Sequence, residues 1–208
     1  MVEKVEDMKN MEESFSYEYN DKFIIEDNLD RRIYINGEID SGVIDIAAYQ
    51  IMRFNRMDKG LSYEERKPIR LYINSPGGIV SDGYGLISTI INSKTPVYTI
   101  NLALAASMAL LVFIAGHKRY TMPHAEFLMH DGSTGTFGSS SKVKDQIEFE
   151  SIQLEGMTKD FIISHTKIAE ELYKEKHRME WWFLAKEARQ VGVTDYIVGE
   201  DCDMDEIL

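Results

Sequence analysis

Three short segments carry residue types that could perform acyl-transfer chemistry. The first is Ala105-Ala106-Ser107-Met108-Ala109. Small neighbours let the backbone turn sharply and leave the serine hydroxyl exposed, as glycines do in a G-x-S-x-G nucleophile elbow. A serine at a helix start also meets unpaired amides and the positive end of the helix dipole, with the Met108 N–H directed at a developing oxyanion. The same string would equally suit plain helix packing. The second segment is Ser75-Pro76-Gly77-Gly78. Its glycines either form a structural turn or let the backbone approach a ligand and direct an N–H into a site. A phosphate loop does not fit: Tyr84 and Gly85 stand where G-x-x-x-x-G-K-[ST] requires Lys and Ser/Thr. The third is His130, at the end of FLMH, whose imidazole can accept a serine proton near neutral pH or serve a structural role. His117, His124, His165 and His177 form no H-E-x-x-H pair and have no cysteine partners, so neither a metal nor a cofactor is expected.

The flanking pattern alternates strand and helix, which is the α/β signature. RRIYING (31–37) and IRLYI (69–73) read as strands, with a helix between them whose apolar side includes Ile44, Ala47, Ala48, Ile51 and Met52 and which Ser41 can cap. A helix is expected over 81–92. Residues 97–116 contain no charge, long enough for a membrane span. Their texture argues instead for a short strand, VYTI, interrupted by Asn101, then a buried helix over 105–116 ended by Gly116. RYTM (119–122) and FLMH (127–130) are further strands. A Gly/Ser-rich loop (132–141) leads to a long helix (142–165), a short one (169–176), a last helix (184–191) before Gly192, and a closing strand, VTDYIV.

Composition bounds the function. The chain has 208 residues, 44% hydrophobic and 28% charged, which suits one globular domain. Its net charge of -12 sits at the ends: residues 1–30 carry ten acids against three bases, and residues 195–208 carry six acids and no Lys or Arg. The body between them is nearly neutral, and without a basic excess it is not expected to bind nucleic acid. The single cysteine, Cys202, cannot form an internal disulfide, and MVEKVEDMKN lacks the apolar run of a secretory signal. A cytoplasmic protein that neither spans nor binds a membrane is expected.

YINSPGG (72–78), AASM (105–108) and the MP…MH segment (122–130) together resemble the proteolytic subunit family of the Clp protease, ClpP. The 29-residue step from Gly78 to Ser107 belongs to that resemblance, which runs from about Arg31 to Val198 and is strongest over 70–130. It implies a crotonase/ClpP-like α/β fold, a repeated ββα spiral with a protruding handle helix. The expected division is a mobile acidic arm (1–20), a peptidase domain (21–198, handle about 132–166) and an acidic tail (199–208). By the same resemblance Ser107 is the nucleophile, His130 its base, and the amides of Gly78 and Met108 the oxyanion hole. The expected activity is a serine endopeptidase cleaving peptides and unfolded proteins through an acyl-enzyme. Homo-oligomeric rings, as heptamer or tetradecamer, and an AAA+ unfoldase partner follow from the resemblance as well.

The sequence also departs from the family. Counting back from Gly192 puts Glu180 where the family has an aspartate, and Met179 where that aspartate follows an arginine. Glutamate can orient a histidine, as Ser-His-Glu triads do, although Glu180 could equally be an exposed acid. Glu175 is the nearest substitute, and a Ser-His dyad is a further option. Trp181 and Trp182 read most simply as large core or interface side chains. Such changes suit a divergent or phage-type member. The alternatives are an inactive ring or binding subunit, a crotonase-fold acyl-CoA enzyme, and a lysine-base peptidase.

Overall fold

A computed structural model describes residues 26, 27, 29–132 and 137–208; the expected acidic arm over 1–20 and part of the Gly/Ser-rich loop lie outside the described residues. Alternation of apolar and polar side chains sets the first strands. In β1 (Arg32–Asn36), Ile33 and Ile35 face the core, while Arg32, Tyr34 and Asn36 face outward. β2 (Ile69–Ser75) lies between β1 and β3 (Val97–Ala106), parallel to both, and is covered on both faces. Ile69, Leu71 and Ile73 fill the core from one face, while Tyr72 is buried on the other between the partly buried Arg70 and Asn74.

The connections place helices against this sheet. A π-helical turn (Ile44–Ala48) runs into α1 (Tyr49–Met57), and α2 (Val80–Ile91) joins β2 to β3. β3 continues through Asn101, where an interruption was expected, and the following helix α3 is shorter than anticipated, Met108–Ile114. The fully buried Asn101 sits where β3 changes partners, from β4 (Lys118–Thr121) to β5 (Glu126–Met129), and its Nδ2 donates to the Glu126 carbonyl at 3.0 Å. The bond gives the Glu126 carbonyl a donor where β3 forks between its two neighbours.

All seven residues of α3 are buried. A helix of this length is marginal alone, well short of the ~12–15 residues that isolated helices need. Packing holds it: each fully buried Leu, Val, Ile or Phe side chain contributes about 1.5–3 kcal/mol. The apolar stretch 97–116 is therefore a strand and a core helix. Among the described residues no helix is long and apolar enough to cross a membrane.

Beyond β5 a helical segment is continuous from α4 (Ser140–Glu148) through a π-helical stretch (Phe149–Leu154) to α5 (Glu155–His165). α6 (Glu170–Lys176) precedes a strand not foreseen in the sequence, β6 (Trp181–Leu184), antiparallel to β5. α7 (Ala185–Gln190) and β7 (Tyr196–Ile197) follow, with β7 parallel to β4, and a short 3₁₀ turn (Met204–Glu206) comes after them. The result is the crotonase-like α/β fold.

Two outlying contacts stabilise this frame. Arg31 grips Asp58 with both guanidinium nitrogens at 2.6 Å, and Thr95 Oγ1 donates to the same carboxylate at 2.8 Å. On the sheet's second face Tyr72, Ile100, Tyr120 and Val198 form a smaller core with Ile207, whose carbonyl accepts the Tyr72 hydroxyl proton.

Candidate active site

Ser107 is the joint between β3 and α3. Its backbone adopts φ 54°, ψ -124°, a combination that costs a non-glycine residue of order 1–3 kcal/mol. The surroundings impose it. The Ser107 N–H donates to the Leu128 carbonyl on β5 at 2.9 Å, and the Ser107 carbonyl accepts the Leu110 N–H at 3.0 Å. Ala105, Ala106 and Ala109 are buried around the turn. The half-buried hydroxyl thus stands on a strained strand-to-helix elbow.

The glycine pair fits beneath this elbow. Gly77, at φ 99°, lies so close that an added Cβ would meet Ser107 Cβ at 2.7 Å, the Ala106 carbonyl oxygen at 2.8 Å and the Met108 nitrogen at 3.0 Å. Ser75 Oγ accepts the Gly77 N–H at 3.2 Å and fixes the turn. Gly78 forms a parallel bridge with Ile39, in which Ile39 N–H donates to the Gly77 carbonyl and Ile79 N–H to the Ile39 carbonyl. At φ 151° an added Cβ on Gly78 would collide with the Ile39 carbonyl oxygen, so this bridge requires glycine. Met108 is the first residue of α3, so its N–H has no intrahelical partner. Neither amide has a backbone acceptor among the described residues.

His130 follows the end of β5, half-buried, two residues beyond the Leu128 carbonyl that holds Ser107. The β5–β6 ladder pairs Leu128 with Trp182 and Met129 with Trp181. His130 and Glu180 are the next residues beyond that last pair, at the open end of the ladder. Phe127, Met129, Trp181 and Phe183 are buried on the core face, whereas Trp182 and Glu180 are exposed on the other.

The fold therefore gathers Ser107, His130, Gly78 and Met108 at the carboxyl ends of β2, β3 and β5, with Glu180 across the strand pair. Among the described residues no hydrogen bond links Ser107, His130 and Glu180; instead Trp182 Nε1–H donates to Glu180 Oε2 at 3.4 Å. Catalytic contacts often close only when substrate binds. Glu175 lies on α6 and takes part in an ion pair with Lys176. The expectation that both tryptophans are core or interface residues separates: Trp181 is core, and Trp182 lies on the site-facing side. The WWFL alternation was the available signal. Gly77's role as a spacer under the serine was hidden in the turn motif. Among the described residues no cluster of three or more His, Cys, Asp or Glu could hold a metal ion.

Comparison with known proteins gives a coherent picture. The family model described as Clp protease matches residues 19–201. A relative from Frankia casuarinae, ATP-dependent Clp protease proteolytic subunit 1, is 32% identical over 81% of this chain and 76% of its own length. ATP-dependent Clp protease proteolytic subunit 2 of Corynebacterium efficiens is 31% identical over 81% of this chain and 82% of its own. The corresponding subunit 2 from Rhodococcus jostii is 31% identical over 81% and 84%.

Proposed function

The chain belongs to the Clp protease family, and from that premise we propose that Ser107, His130 and Glu180 form its catalytic triad, with the Gly78 and Met108 amides as oxyanion hole. It is a ClpP-type serine peptidase, a hydrolase. Family membership implies a ring oligomer that works with an AAA+ unfoldase.

In the proposed reaction Ser107 Oγ attacks a peptide carbonyl carbon while a His130 ring nitrogen takes the hydroxyl proton. The carbonyl oxygen becomes an oxyanion facing the two amides, where each such donor is worth about 10²–10³ in rate. Collapse breaks the C–N bond as His130 returns the proton to the leaving amine. Water, deprotonated by His130, then hydrolyses the ester and restores Ser107. Glu180 orients the imidazole and offsets its transient positive charge. The observation that carries this reading is the Ser107 elbow. Its strain, the hydrogen bond to Leu128 and the close-packed glycine below together hold the hydroxyl as a presented nucleophile requires.

We assign residues 21–198 to the peptidase domain, with the handle at about 132–166 and an acidic tail at 199–208. The exposed Ile147, Phe149 and Ile152 on the handle support a heptamer stacked into a tetradecamer. Substrates are peptides and proteins delivered unfolded, and the cytoplasm is the proposed compartment, in keeping with the single cysteine. The test is hydrolysis of a fluorogenic peptide, with particle size followed by light scattering. Ser107→Ala and His130→Ala should abolish turnover without changing the particle; turnover surviving in either would refute the assignment.

A further inference from the structure

We propose that Trp182 is a positioning residue for the triad acid: its indole N–H holds one carboxylate oxygen of Glu180 and leaves the other for His130. This rests on the reading of Glu180 given above.

Strand alternation puts the Glu180 and Trp182 side chains, two residues apart, on the same face, opposite the buried Trp181 and Phe183. The antiparallel register places Trp182 across from Leu128 and ends with Trp181 across from Met129; Glu180 and His130 are the next residues beyond that last pair. Leu128 is also the residue whose carbonyl holds the Ser107 N–H. Trp182 therefore stands two residues from the proposed acid and across from the residue that anchors the nucleophile.

The hydrogen bond uses Glu180 Oε2, and among the described residues Oε1 has no partner. A carboxylate has two oxygens and accepts from two donors without competition. Glutamate's extra methylene gives it more rotamers to search, and Met179 beside it offers no charge to hold it. The large indole, half-exposed at 50%, supplies that restraint. It also accounts for a large apolar side chain kept on the outward face while its neighbour fills the core.

The experiment compares Trp182→Phe, which keeps an aromatic ring but loses the N–H, with Trp182→His, which retains a ring donor. Both are measured with a fluorogenic peptide in wild-type and Glu180→Gln chains, and assembly is checked by light scattering. The expected result is kcat lowered about 3- to 10-fold in Trp182→Phe with KM unchanged, partial recovery in Trp182→His, and no further loss when Trp182→Phe is added to Glu180→Gln. If Glu180→Gln loses activity but Trp182→Phe does not, the positioning role is wrong and the triad stands. A Trp182→Phe loss that is equal in both backgrounds also overturns the proposal, because the ring then acts independently of the acid. If Glu180→Gln keeps full activity while Ser107→Ala and His130→Ala lose it, the site is a dyad, and the triad reading falls together with this proposal.

Discussion

Replacing Gly77 by alanine puts a methyl group where the elbow leaves no room for one. The added Cβ would lie 2.7 Å from Ser107 Cβ, 2.8 Å from the Ala106 carbonyl oxygen and 3.0 Å from the Met108 nitrogen, mostly backbone that cannot swing aside. Gly60 provides a matched control. Its φ is +98° against +99° for Gly77, but nothing lies within 4 Å of an added Cβ. Gly60→Ala therefore carries only the positive-φ cost, about 1–2 kcal/mol. Gly77→Ala adds overpacking of about 1–3 kcal/mol, for a total of about 2–5 kcal/mol. Should the elbow yield instead, the nucleophile and the Met108 amide move together, and a displacement approaching 1 Å costs about 10²-fold in turnover. Urea unfolding at fixed protein concentration gives the stability difference, and peptide hydrolysis gives the rate. A Gly77→Ala chain as stable as Gly60→Ala and as active as wild type would refute the placement of Gly77 beneath the serine.

Three further outcomes follow from the frame. Asp58→Ala strands Arg31 in a largely buried position and should cost about 3–5 kcal/mol by denaturant unfolding. The hydrogen bond from Arg31, aided by Thr95 and Arg66, holds the Asp58 carboxyl below its usual range. Its stabilisation is thus complete above about pH 4, the ordinary aspartate value, and is lost as pH falls through the lowered one. The wild-type chain should show this acid-side loss, and Asp58→Asn should lack that contribution. Tyr72→Phe removes the hydroxyl that pins the Ile207 carbonyl, a loss of about 1 kcal/mol. The Cys202 thiol, which burial pushes up, should then react with a thiol reagent about 5-fold faster through local opening of the tail. An unchanged rate would show that the tail is held elsewhere.

Much of this site was legible because small residues at a strand–helix junction and a glycine pair after a buried strand have few uses in common. Ser107, Gly78, Met108 and His130 come together through parallel strand order, which the α/β alternation already implied. Other features depend on partners distant in sequence. Asn101 looked like a break because Asn disfavours strands, yet β3 passes through it by bonding to Glu126. WWFL is short and directly precedes a helix, and only its pairing with β5 makes it the strand β6. Glu180 could be located by counting, but its place at the end of the β5–β6 ladder and its bond to Trp182 depend on that unforeseen strand. Gly77's close approach to Ser107 is likewise a contact between segments about thirty residues apart, invisible in either one alone.

The most direct measurement is mass spectrometry of the assembled protein after reaction with a serine-directed fluorophosphonate, with the adduct located by peptide mapping. One adduct per chain, on Ser107 and lost in His130→Ala, is the expected result. An adduct on another residue, or none on a folded and assembled chain, would contradict a presented and activated Ser107.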